Sequence, residues 1–239
     1  MIDLHCHLIP NIDDGPKSWD ESIEMVSIAH KDGMKGAVTT PHWIQGTNWQ
    51  PDSSTVKVKV KEFNIKLEAE GIDFKVYPGM EIGITANLAD LVSSGEILTL
   101  AECNYLLVEV PYYSLPLGMD EMISGLRAIG KTVVLAHPER SKEFQECPER
   151  ILDFMDLGAW VQIAASSLYG DFGDQAKKCA LEFANMGALD IVSSDAHSTK
   201  RRRPIVSKAL RILEDEIGAQ NVDTIIGNSY KVIGCNYPV

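Results

Sequence analysis

An α/β fold, with a mainly parallel sheet closed into a barrel, is what this sequence predicts. Seven short apolar strand segments alternate with helical segments, which calls for parallel strands covered by helices. That alternation admits an open sheet as well as a barrel. A second observation favours closure. His5, His7, His42, Glu81, Glu109, His137, Asp195 and His197 all fall at, or just after, strand C-terminal ends. An open sheet would spread those ends across its width, whereas a barrel gathers them at one mouth, where active sites are built.

The elements follow in order. Ile2 to His7 alternates as a strand, which would put His5 and His7 on one side and Leu4 and Cys6 on the other. Ser18 and Glu21 form a capping-box pattern ahead of a helical stripe through Ile23, Met25, Val26, Ile28 and Ala29, ending at Gly33. Gly36 to Thr40 is a buried strand stopped by Pro41, and a polar loop carrying Trp43 and Trp49 follows. Ser53 to Glu70 is a charged amphipathic helix closed by Gly71. Phe74 to Glu81 is a strand with a carboxylate at its end, followed by helical residues Ala86 to Val92. Tyr105 to Val110 is the next strand, Gly118 to Ile129 the next helix, and Thr132 to Pro138 a strand ending in His137. A helix over Pro148 to Leu157 precedes the strand Trp160 to Ile163, and Gly173 to Met186 is helical. Asp190 to His197 is the last strand, with helices over Pro204 to Ile217 and Val222 to Gly227.

At 239 residues, with no linker, low-complexity tract or repeat, the chain reads as one domain spanning 1–239. Apolar residues make up 45%, enough for a substantial core. A formal net charge of −12 argues against general binding to nucleic acid or anionic membranes, whose phosphates it would repel. The five cysteines, Cys6, Cys103, Cys147, Cys179 and Cys235, form no Cys-x-x-Cys pair and suit free thiols in a reducing cytosol. No apolar run of membrane-spanning length and no signal-peptide pattern is present, so a cytoplasmic protein without membrane insertion is expected.

Five of the six histidines occupy strand ends; only His30, within the first helix, does not. With Asp14, Glu81, Glu109 and Asp195 they make a set of four carboxylates and five imidazoles. Four carboxylates around one cavity repel strongly unless cations sit among them. Mixed imidazole and carboxylate ligands without thiolate suit manganese, iron or zinc better than calcium or magnesium, and nine ligands imply two or three ions.

The ordered motifs Asp3-Leu-His5-Cys-His7, Asp13-Asp14-Gly15, Thr40-Pro41-His42, Gly79-Met-Glu81, Glu109-Val-Pro, His137-Pro-Glu-Arg140 and Ser194-Asp195-Ala-His197 resemble the polymerase-and-histidinol-phosphatase superfamily. They are most similar to its bacterial manganese-dependent protein-tyrosine phosphatases of capsule and exopolysaccharide systems. The resemblance covers nearly the whole chain and implies a distorted (β/α)7 barrel with three metal ions at its C-terminal mouth. It implies His5, His7, Glu81 and Asp195 around one ion, Glu81, Glu109 and His137 around a second, and Asp14, His42 and His197 around a third. It also implies that Arg140 binds substrate phosphate together with an arginine after His197. That role falls among Arg201, Arg202 and Arg203, of which Arg203 matches by its Arg-Pro context and Arg202 by its distance from His197. Trp43, Asp171 and Ser198 depart from the family pattern without removing a ligand.

The expected reaction is hydrolysis of a phosphate monoester, phosphotyrosine on a protein, by metal-activated water attacking in line with the leaving oxygen. A bacterial tyrosine autokinase is an expected partner. The nearest competitor is a small-molecule phosphatase acting on histidinol phosphate or a nucleotide phosphate, and a non-catalytic binding module is the alternative of a different class. A cysteine phosphatase fails on spacing, because no cysteine has an arginine six residues downstream. A nuclease is disfavoured by the net charge, although Lys200-Arg-Arg-Arg203 makes a local basic rim.

Overall fold

Every strand pairing in the structure, a computed structural model that describes residues 1–234, is parallel. The strands are β1 (Ile2–Cys6), β2 (Gly36–Thr39), β3 (His42–Trp43), β4 (Lys75–Pro78), β5 (Glu81–Gly83), β6 (Tyr105–Glu109), β7 (Thr132–Ala136), β8 (Trp160–Ala164) and β9 (Ile191–Ser193). One ladder runs β1-β2-β4 and the other β3-β5-β6-β7-β8-β9. The two ladders are one barrel. β2 and β3 are successive pieces of a single barrel strand interrupted at Pro41, which lacks an N–H to donate. β4 and β5 are likewise interrupted at Gly79, where a Cβ would lie 2.7 Å from Val38 Cγ1, so only glycine fits. The far edge closes where Asp195 N–H donates to His5 O and His7 N–H donates to Ala196 O, both at 2.8 Å. Counted this way, seven strands form the (β/α)7 barrel expected from the sequence.

Two apolar layers fill it. An inner cluster draws Ile2, Leu4, Val38, Leu107, Val134 and Ile191 from strands around the barrel, together with Tyr230, Val232 and Ile233. The larger outer cluster packs the opposite strand faces, such as Val76, Ile82, Val108, Leu135 and Val161, against the helices. Those helices are α1 (Trp19–Lys31), α2 (Ser53–Ala69), α3 (Leu88–Ser94), α4 (Met119–Ala128), α5 (Lys142–Glu146), α6 (Ile151–Asp156), α7 (Ala165–Tyr169), α8 (Asp174–Asn185), α9 (Ser207–Ile217) and α10 (Ala219–Val232). Ser18 caps α1 by accepting from Glu21 N–H at 3.2 Å, and the Glu21 carboxylate accepts from Lys17 N–H at 2.9 Å. The end of α10 supplies Tyr230 and Val232 to the inner cluster.

The structure departs from the sequence reading in four places. Trp43, expected in a loop, lies in the two-residue strand β3, where His42 pairs with Glu81. Helices α5 and α7 were not expected, being five residues each and too short to show a periodicity. Helix α10 extends well past the expected Val222 to Gly227. Strict alternation in β1 fails: the pairing register shifts between Asp3 and Cys6, so Leu4 packs inside the barrel and Cys6 outside it. The bulge is what lets Leu4 fill the core while His5 and His7 reach the mouth. Cys6 faces away from the site as expected, and its thiol donates to Val38 O. Cys6, Cys103, Cys147 and Cys179 are free thiols, and Cys235 lies outside the described residues.

Candidate metal centre

All nine proposed ligands converge at the C-terminal mouth. Four clusters have ligand atoms within 4.8 Å of one another: His7, Asp14, His42 and His197; His5, His7 and Glu81; His5, His137 and Asp195; and His42, Glu81 and Glu109. This partition differs from the one the resemblance implies. His7 joins Asp14, His42 and His197 as well as Glu81, and His137 falls in a cluster with His5 and Asp195, whereas Glu109 falls in one with His42 and Glu81. Glu81 lies at the hub, with His5 Nε2 at 3.2 Å, His42 Nδ1 at 3.0 Å and His7 Nε2 at 3.4 Å from Oε2, and His137 Nε2 at 2.8 Å from Oε1.

The imidazoles are aimed by groups behind them. His7 Nδ1 lies 2.6 Å from Asp13 Oδ2, His5 Nδ1 lies 3.0 Å from Gln162 Oε1, and His197 Nδ1 lies 3.1 Å from Asp195 O. A proton on each Nδ1 donates to that acceptor, which leaves the Nε2 lone pair facing the centre, the usual arrangement of metal-binding histidines. Asp13 is itself fixed by accepting from Gly15 N–H and His42 N–H. Gln162 Nε2 donates to Ile163 O at 2.6 Å, which holds its Oε1 toward His5.

Whether these residues suit divalent ions is decided by the atoms left over. Among the described residues, His5 Nε2, His7 Nε2, His42 Nδ1, Glu81 Oε2, Asp195 Oδ1 and His197 Nε2 are buried and make no well-directed hydrogen bond, although imidazole and carboxylate atoms face one another across the mouth at 3.0–3.4 Å. Buried polar atoms without partners are rare and costly, about 1–3 kcal/mol each. Six of them around one mouth fit a cluster of cations better than any internal pairing.

The charge balance agrees. Burial opposes ionisation of Glu81, but His5, His137 and His42 overcome it and hold its carboxyl well below the usual range. Burial likewise opposes the charge of Asp195, which Arg140, His5 and Arg202 stabilise. Burial and the nearby Glu81 push the Glu109 carboxyl up. His7 and His42 are raised to about 9 and about 11 against the effect of burial, by Asp13 and by Asp14 with Glu81 respectively. Burial lowers His137 and His197 to about 4, helped by Arg140 and by His7 in turn.

Arg140 Nη1 and Arg202 Nη2 both reach Asp195 Oδ2, at 2.6 and 2.5 Å. Arg203 is exposed and makes no such contact, so the geometry separates the two arginines that the sequence left open. Glu139 helps set Arg140: its buried Oε1 accepts from Ala164 N–H at 3.1 Å and Ser167 Oγ–H at 2.6 Å, tying the turn after β7 to β8 and α7. Among the described residues, His137, Asp195 and Arg202 are three of the six non-glycine residues with positive φ, strain that concentrates at functional sites.

Sequence reasoning gave no role to Asp13, Gln162, Glu139, Phe172 or Trp49. Gln162 carried a signal, an amide inside the apolar strand Trp160-Val-Gln-Ile163 that burial obliges to find partners. Phe172, which stacks on Arg140 with 3.6 Å between guanidinium carbon and ring centre, carried none. Neither did Trp49, stacked on His42 at 5.0 Å.

A parallel barrel whose mouth gathers imidazoles and carboxylates defines a class, the metal-dependent barrel hydrolases. Within it the assignment is specific: residues 1–234 match the CpsB/CapC family of capsular polysaccharide synthesis, and the chain belongs to that family. It is 34% identical over 220 residues to the tyrosine-protein phosphatase YwqE of Bacillus subtilis, covering 92% of this chain and 86% of that protein. It is 27% identical over 239 residues to the tyrosine-protein phosphatase CpsB of Streptococcus pneumoniae, covering 98% of each. A solved chain from the crystal structures of YwqE and CpsB, described as metal-dependent tyrosine phosphatases, superposes with a TM-score of 0.95 at 31% identity, over all of this chain and 96% of that one. A D-hydantoinase at 12% identity and TM-score 0.52 shares the fold alone.

Proposed function

We propose that this protein is a metal-dependent protein-tyrosine phosphatase of a capsule or exopolysaccharide system, with the chain acting as one catalytic domain. The observation that carries the reading is the nine-residue cluster, with its orphaned nitrogens and oxygens, set beside two inward guanidiniums in a CpsB/CapC chain. His5, His7, Asp14, His42, Glu81, Glu109, His137, Asp195 and His197 would hold two or three divalent ions, manganese first. Bound there, such ions supply Lewis-acid activation of water and neutralise charge on a phosphoryl group.

The remaining work falls to the protein's own side chains. Arg140 and Arg202 are placed to grip phosphoryl oxygens, for which a planar guanidinium fork is well shaped. A cavity of about 600 Å³ opens beside Arg140 and is lined by Glu109, Tyr112, His137 and Phe172 among others. The exposed aromatic rings of Tyr112 and Phe172 give that cleft the character needed to hold a phenyl ring next to the phosphoryl position. A phosphorylated bacterial tyrosine kinase is the protein substrate we propose.

Turnover of a phosphotyrosyl peptide and of histidinol phosphate by the manganese-loaded protein tests this, with His7→Ala and Arg140→Ala as controls. The peptide should be the better substrate by at least tenfold in kcat/KM, and both variants should lose most activity. Preference for histidinol phosphate would overturn the protein substrate, and undiminished turnover in both variants would overturn the site.

A further inference from the structure

The basic run Lys200-Arg-Arg-Arg203 is only partly absorbed by the reading above, since Arg202 alone turns to Asp195. Its other members line a second cavity of about 720 Å³, where Lys200, Arg201, Arg202, Arg203 and Lys208 face a single carboxylate, Asp171. Such a concentration of positive charge is unusual on a chain of net charge −12. Among the described residues, Lys200, Arg201 and Arg203 make no ion pair, and Lys208 lies over the Tyr169 ring at 4.5 Å. The N-terminal end of α9 is already satisfied: Asp32 accepts from Val206 N–H, Ser207 N–H and Ser207 Oγ–H at 2.6–2.9 Å. The unanswered charge of the basin therefore lies on side chains.

The basin is continuous with the reaction centre at two points. Arg202 lines it and touches Asp195, and Phe172 lines both it and the aromatic cleft while stacking on Arg140. A chain whose phosphotyrosine ring enters the cleft would therefore pass over Phe172 and lay its neighbouring residues across the basin.

Resting on the phosphatase reading, we infer that this basin is a subsite for a second anionic group on the substrate, selecting phosphotyrosines with an acidic neighbour. Asp or Glu carboxylates and a second phosphotyrosine offer the same chemistry to it. Clustered cations raise both local substrate concentration and affinity, and that effect is screened by salt.

Three peptides of equal length separate the possibilities, one phosphotyrosine each with alanine neighbours or with glutamate neighbours, and one with a second phosphotyrosine. The wild-type, manganese-loaded protein should hydrolyse both anionic peptides with kcat/KM at least tenfold above the alanine peptide, mostly through KM, with the advantage shrinking at 0.5 M NaCl. The larger of the two advantages identifies the anion the basin favours. Lys200→Gln/Arg201→Gln should erase most of the advantage while kcat on p-nitrophenyl phosphate stays within twofold. Equal rates on all three peptides in the wild type, or an undiminished advantage in the double variant, would overturn the subsite and leave the phosphatase standing. Failure to cleave any of the peptides alongside turnover of p-nitrophenyl phosphate would overturn the protein-phosphatase reading and the subsite with it.

Discussion

Asp13 shows how much of the centre depends on a residue that touches no proposed ion. Its Oδ2 is 2.6 Å from His7 Nδ1 and also accepts from His42 N–H, while its Oδ1 accepts from Gly15 N–H, so one carboxylate aims an imidazole and anchors the loop that carries Asp14. Removing such a partner usually weakens metal affinity about 10–100-fold. Asp13→Ala should do so while far-UV circular dichroism stays unchanged; wild-type manganese affinity in the variant would show that His7 needs no such support. The two arginines make a second test. Arg202→Ala should reduce kcat/KM on p-nitrophenyl phosphate about 10²–10³-fold, the cost of losing a donor to developing charge. Arg203→Ala, whose side chain lies outward, should lose at least ten times less. Equal losses would place both guanidiniums on the phosphoryl group.

Elements explain why part of this site could be read from sequence and part could not. The ligands are legible because parallel strands of a closed barrel all end at one mouth, so chemistry-bearing residues at strand ends must meet there. Glu81 and His42 come from barrel strands interrupted in mid-course, yet they still pair across β3 and β5. The groups behind the ligands are less legible, because their partners lie far away in sequence. Gln162 meets His5 across 157 residues, and Asp3 meets Ser194 across 191. The bulge in β1 is invisible to a strict two-residue alternation, since it changes which face Leu4 occupies without changing residue types. Nor does the sequence tell Arg202 from Arg203, whereas in the structure it is Arg202 that reaches Asp195. The Asp3–Ser194 contact belongs to the barrel's closing seam: Ser194 Oγ–H donates to Asp3 Oδ2 at 2.5 Å and Ser194 N–H to Oδ1 at 3.0 Å. Burial nonetheless keeps Asp3 at about 6. Ser194→Ala takes one donor from that buried carboxylate and should cost about 1–3 kcal/mol in urea denaturation of the metal-free protein. A change below 0.5 kcal/mol would mean the seam does not depend on it.

For the molecule as a whole, metal loading and protonation compete for the same nitrogens. Burial disfavours a charged His7, but Asp13 and Glu81 outweigh it and raise the metal-free pKa from 6.5 to about 9. His42 is raised further, to about 11, by Asp14 and Glu81. A histidine with a raised pKa stabilises the folded state fully below its unfolded value of 6.5 and loses that contribution as pH climbs through about 9. The metal-free protein should therefore lose stability on this account between those values. A ligating imidazole must be unprotonated, so loading expels these protons and apparent affinity grows with pH across the same interval. The gain in Tm on adding manganese should widen steadily from pH 6.5 to 8.5, because bound metal stabilises by RT ln(1 + [L]/Kd) and Kd is falling. Titration calorimetry of manganese into metal-free protein at pH 7.5, repeated in buffers of different ionisation enthalpy, should report release of at least one proton per protein loaded. A pH-independent gain in Tm together with no proton release would mean that His7 and His42 are already neutral before metal binds. The charge pattern at the mouth would then have to be balanced by Arg140 and Arg202 alone.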